Sequence, residues 1–115
     1  MPEQIVVASS GRIVAHDLRW ARTFAERSKG LVGSPPLAEG QALVIEPATQ
    51  VHTFRMGFPI DVAFVGRDWK VRHVVRGMKR RRLTKFVMGS RYVIELSSGS
   101  LPDEVARGTQ LKLSN

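Results

Sequence analysis

Residues 59–75 read Pro59-Ile60-Asp61-Val62-Ala63-Phe64-Val65-Gly66-Arg67-Asp68-Trp69-Lys70-Val71-Arg72-His73-Val74-Val75. Pro59 breaks the preceding chain, and Ile60, Val62 and Phe64 then share one face of an extended segment. Gly66-Arg67-Asp68-Trp69 supplies a turn, and Lys70 to Val75 returns, so 60–75 is expected to form a β-hairpin. One acid interrupts the first arm. Asp61 on an apolar strand would cost roughly several kcal/mol unless it is paired or accepts backbone amides. Arg27 and Arg55 are the guanidinium candidates for that pairing, since Arg offers a carboxylate a bidentate fork.

The same pattern of short apolar runs between Gly and Pro breaks continues on both sides. Ile5 to Ala8 reads as a strand, Ser9-Ser10-Gly11 as a turn, and Arg12 to Trp20 as a second, poorly alternating run. Ala42 to Glu46, Gln50 to Met56, Arg91 to Leu96 (half-buried, with Tyr92, Ile94 and Leu96 inward) and Leu111 to Leu113 complete the strand set. A single helix is expected over about 23–30. Thr23 and Glu26 have capping-box spacing, Gly30 stands where a positive-φ cap belongs, and Pro35-Pro36 forbids continuation. About seven or eight short strands with one short helix predict a mainly β fold, a jelly-roll-like sandwich or small barrel. No repeat or linker divides the chain, so 1–115 is expected to be one domain.

Three blocks carry a family resemblance. They are Arg22 to Gly33 (RTFAERSKGLVG), Phe54 to Val71 (FRMGFPIDVAFVGRDWKV) and Tyr92 to Leu113 (YVIELSSGSLPDEVARGTQLKL). Together they resemble domain of unknown function 192, a bacterial and archaeal family, over about residues 12–113. The family pattern joins an A-x-R-x-x-G-L-M block, an aromatic-Met block before an [IL]-D-[IV]-x-F strand, and a hydrophobic-Glu-Leu-x-x-Gly block. Val32 replaces the usual Met of the first block, and Arg55-Met56-Gly57-Phe58 departs from the usual second. The resemblance implies a compact, jelly-roll-like, mainly β fold, and it implies no reaction.

Composition narrows the functional classes. The chain of 115 residues is 43% apolar and 24% charged, the balance of a folded globular protein. It has no cysteine, which removes disulfides, thiolate metal sites and cysteine nucleophiles. Its first residues carry Glu3 and no basic flank, so no signal peptide is expected and the expected compartment is the cytoplasm. The net charge of +8 is concentrated: residues 67–91 hold ten Lys or Arg and one acid, leaving eight bases against nine acids elsewhere. At its centre lies Arg76-Gly77-Met78-Lys79-Arg80-Arg81-Arg82-Leu83-Thr84-Lys85.

Such an imbalance suggests a surface for an anionic partner, whether nucleic acid, anionic lipid or an acidic protein, with Arg76, Lys79, Arg80, Arg81, Arg82 and Lys85 as its residues. The blander reading is a solvated loop. A candidate pocket, or a structural polar pair, is framed by Arg27, His52, Arg55, Met56 and Asp61. The alternative function is a ligand- or metal-binding site around His52, Asp61 and Glu95, possible in principle because zinc needs only three protein ligands. No metal or cofactor is expected from spacing: His16, His52 and His73 lie far apart. Ser97-Ser98-Gly99-Ser100 lacks a nucleophile-elbow context, and no phosphate-cradling glycine motif occurs, so no catalytic residue is assigned. An enzyme would bring Asp61, His52 or Glu95 together in a hollow with shifted pKa values. A binding module would pair them off and expose the basic residues.

Overall fold

The structure, a computed structural model, describes residues 3–115. Eight strands and one helix follow one another: β1 (Gln4–Val7), β2 (Ile13–Ala15), β3 (Asp17–Ala21), α1 (Phe24–Lys29), β4 (Gln41–Ile45), β5 (Ile60–Gly66), β6 (Val71–Met78), β7 (Ser90–Ser97) and β8 (Leu111–Ser114). They form two open sheets, β2-β1-β8 and β3-β4-β7-β5-β6, and no closed barrel. All pairs are antiparallel except β3 with β4.

The period-2 alternation of the strands sorts their side chains into two cores. Ala42, Val44, Ala63, Val65, Ile94 and Leu96 face the small sheet, where Ile5, Val7, Val14 and Leu111 meet them. Leu43, Ile45, Ile60, Val62, Phe64 and Val93 point the other way. That second face has no sheet over it. Leu31, Val51, Met56, Phe58 and Val87, from the segments around 31, 51–58 and 87, cover it instead. The large sheet is therefore a shared floor for a sandwich on one side and a layer of loops on the other.

The hairpin expected at 60–75 exists and extends to Met78. Helix α1 starts on the expected capping box: Thr23 Oγ1 accepts from Glu26 N at 3.1 Å, and Glu26 Oε1 accepts from Thr23 N at 3.0 Å. Gly30 ends it at φ 50°, with its N–H on the carbonyl of Glu26 at 2.9 Å.

Three elements differ from the sequence reading. The run 12–20 is two strands in different sheets, because the chain changes sheet at His16. There the N–H groups of His16 and Asp17 both donate to the carbonyl of Gly40, at 2.9 and 3.1 Å. Gly40, at φ 84°, has to be glycine, since the His16 ring occupies the place of a Cβ. The run 91–96 is not half-buried: β7 lies between β4 and β5, and Val93, Ile94, Glu95 and Leu96 are all buried. Residues 50–56 alternate inward and outward but make only one isolated bridge, His52 with Leu83. Positive φ at Arg55 (64°) and Arg81 (60°) bends both segments away before a ladder can form.

Candidate functional site

The basic stretch follows β6, the edge strand of the large sheet, and is pinned by buried threonines. Thr53, fully buried, accepts from Arg82 N at 2.9 Å through Oγ1 and donates to the Lys79 carbonyl at 2.6 Å. Its own N–H donates to the Arg82 carbonyl, and its carbonyl accepts from Arg81 N. Thr84 Oγ1 accepts from Val51 N at 3.0 Å, while Thr84 N donates to the Val51 carbonyl. The loop is thus fixed to 51–53 by main-chain and hydroxyl bonds, which leaves its long side chains outside.

Lys79, Arg80, Arg81, Arg82 and Lys85 are exposed, and none of them forms a salt bridge among the described residues. Arg76 is different. Its guanidinium donates to the carbonyls of Leu101, Pro102 and Val105 at 2.7, 2.9 and 2.6 Å, so it clamps the connection after β7. Beside the cations stand exposed Leu83, Phe86 and Met88. The positive field reaches His73 on β6, whose pKa is lowered by burial first and then by Lys85 and Arg107.

The candidate pocket residues are not all brought together. Arg27, His52 and Met56 line a cleft of about 390 Å³ between α1 and the 47–52 segment, and Glu95 lies in its floor. Arg55 is exposed on a positive-φ turn and is not part of the lining. Asp61 sits on the opposite, sandwich face of the large sheet, because it is one residue out of phase with Ile60 and Val62. Its carboxylate accepts three backbone N–H bonds, from Gly77 at 2.8 Å and from Gly99 and Leu101 at 3.0 Å each. No guanidinium is needed there, and neither Arg27 nor Arg55 reaches it. The site imagined around His52, Asp61 and Glu95 is therefore divided by the sheet. Among the described residues no three His, Asp or Glu side chains form a metal-holding group.

Glu95 is 2% exposed, and its Oε1 has no hydrogen-bond partner. Burial pushes its pKa up to about 8, against a smaller opposing pull from Arg19. Arg19 stands two strands away in the same cross-strand row, Arg19–Leu43–Glu95. Arg27 Nε is likewise buried and unpartnered, while its Nη1 donates to the Pro47 carbonyl at 3.4 Å. One acid is thus fully paired off and the other left unsatisfied in a hollow, a division that neither functional reading of the sequence contains. Thr53 and Thr84, which hold the basic loop, were not signalled by any motif. Their bonding partners lie about thirty residues away.

No helix among the described residues is long and apolar enough to cross a membrane. Comparison with solved structures gives two close fold matches. A protein of unknown function from Novosphingobium aromaticivorans DSM 12444 superposes with a TM-score of 0.81 at 21% identity, over 97% of this chain and 84% of that one. A Sinorhizobium meliloti 1021 protein described as a proposed transcription regulator gives 0.78 at 19% identity, over 96% and 91%. Among curated proteins none matches. The model of the family DUF192, described as "Uncharacterized ACR", matches residues 5–113. All three blocks by which the sequence resembles that family send side chains into the cleft, as Arg27 and Leu31, as Met56 and as Glu95. The chain belongs to the DUF192 family.

Proposed function

We propose that the protein is a small accessory binding module that engages an anionic partner through the loop 79–85. The observation that carries this reading is that Lys79, Arg80, Arg81, Arg82 and Lys85 are displayed by a pinned backbone and spent on no acid. A solvated loop has no need of two buried threonines to hold its shape. Arg76 is spent on the connection after β7, and only its charge adds to the field of the loop. Binding is expected to be weakly sequence-specific, because no recognition helix accompanies the cations.

The test is a titration of labelled duplex DNA, single-stranded RNA and anionic vesicles at two salt concentrations, with the wild type and an Arg80/Arg81/Arg82→Ala variant. Duplex DNA is included because one fold neighbour is described as a proposed transcription regulator, although that likeness is of fold alone. Five phosphate contacts on duplex DNA give a log–log salt slope of about −4.5, and the variant is expected to flatten it to about −2. Absence of binding to all three polyanions at low salt, or binding indifferent to the substitutions, would overturn the reading.

A further inference from the structure

The cleft under α1 holds two buried polar atoms that the protein leaves without partners, Arg27 Nε and Glu95 Oε1. Native proteins rarely tolerate such atoms singly, and here two belong to residues that line one hollow. They do not satisfy each other, for no salt bridge joins them. The guanidinium is held up beside the helix by the Pro47 carbonyl, while the carboxyl lies on the strand floor. Gly30 passes close to that carboxyl: an added Cβ would stand in ordinary contact, 3.9 Å from Oε1. The space between, about 390 Å³, is at the small end of the range for small-molecule sites. Leu31, Ile45, Val51 and Met56 give it an apolar wall.

We propose that this cleft binds a small carboxylate with a short apolar body, its head bridging the Arg27 guanidinium and the Glu95 carboxyl and its body lying against Leu31, Val51 and Met56. A planar guanidinium edge suits a carboxylate better than any neutral head group. Glu95 keeps its proton at neutral pH, so its O–H is a donor in search of an acceptor. Both unpartnered groups thus donate, and an anion with two acceptor oxygens answers both. A cationic ligand is opposed by Arg27 and Lys29 on α1 and by Arg19 on β3. His52, on the segment opposite α1, also lines the cleft, and Glu95 is the sole acid in its wall.

The test uses the full chain with methyl-labelled methionine, titrated with sodium hexanoate, hexanamide and hexylamine. Met56 reports on the cleft, while Met78 and Met88 lie outside its lining and serve as internal references. The expected result is a saturable shift of Met56 with hexanoate and at least tenfold weaker binding of the amide and the amine. Between pH 7 and pH 9 affinity should fall about tenfold as Glu95 ionises, and Glu95→Gln should remove that fall, since its amide still donates and cannot ionise. Arg27→Gln should weaken hexanoate at least tenfold. The proposal is overturned if Met56 shows no saturable shift up to about 50 mM hexanoate, well beyond millimolar affinity. It is equally overturned if hexanamide binds as well as hexanoate. Should Arg27→Gln fail to fold, the wild-type ligand comparison and pH series decide.

Discussion

Asp61 and Glu95 lie on neighbouring strands, one register step apart, yet they meet opposite environments. Asp61 has three amides for its two oxygens, whereas Glu95 Oε1 has no hydrogen-bond partner and only Arg19 pulls against its burial. Asp61→Asn would turn an amide NH2 toward N–H donors, so it should cost roughly 2–4 kcal/mol in urea unfolding. A loss below about 0.5 kcal/mol would show that water replaces the carboxylate. Glu95 should behave in the reverse sense. Its carboxyl ionises near 4.5 when unfolded and near 8 when folded. Between those values the native state holds a proton that the unfolded chain has released, so Glu95 lowers stability progressively as pH rises. Glu95→Gln should match the wild type near pH 4 and exceed it by roughly 4–5 kcal/mol at pH 8.5. Identical pH slopes for the two proteins would contradict the raised value. The sequence marked Asp61 as an acid needing a partner. It did not reveal which partner, because Gly99 and Leu101 are about forty residues distant.

Among the elements, those with local causes were legible. Capping chemistry specified α1, and alternation with a turn specified the β5–β6 hairpin. Elements defined by distant neighbours were not. The segment 50–56 alternates like a strand, yet its pairing was set by where 79–84 bends, which nothing in 50–56 encodes. Charged Arg91 and Glu95 made β7 look like a half-buried strand, although it is the centre of the sheet. Thr53 joins two such segments and can be tested at that scale. Thr53→Val keeps the volume but strands Arg82 N and the Lys79 carbonyl, and should cost roughly 1–3 kcal/mol. Thr53→Ser should recover most of it. Hydrogen exchange at the Arg82 amide should speed up in the valine variant alone, and unchanged exchange would mean that the loop is held by other bonds.

For the molecule as a whole, the location of charge was legible and the location of the cleft was not. Charge is additive along the sequence, so the basic segment announced itself. The cleft needed residues from three distant blocks to meet under one helix, and only their order along the chain was visible. A surface with five unpaired cations also repels itself. Raising NaCl from 0.05 to 0.5 M should lift Tm by roughly 2–5 °C in the wild type, and by less in the Arg80/Arg81/Arg82→Ala variant. Equal responses would place the repulsion elsewhere on the surface.

The pinning of residues 79–82 bears on how the protein withstands digestion. Lys79-Arg80-Arg81-Arg82 is the densest run of trypsin sites in the chain. A protease, however, needs a locally opened, extended segment, and Thr53 and Thr84 hold this one closed from beneath. Cleavage there should track the rare openings of the threonine bonds more than the abundance of target residues. The fragment pattern of a brief tryptic digest then becomes a gauge of how firmly the loop is seated.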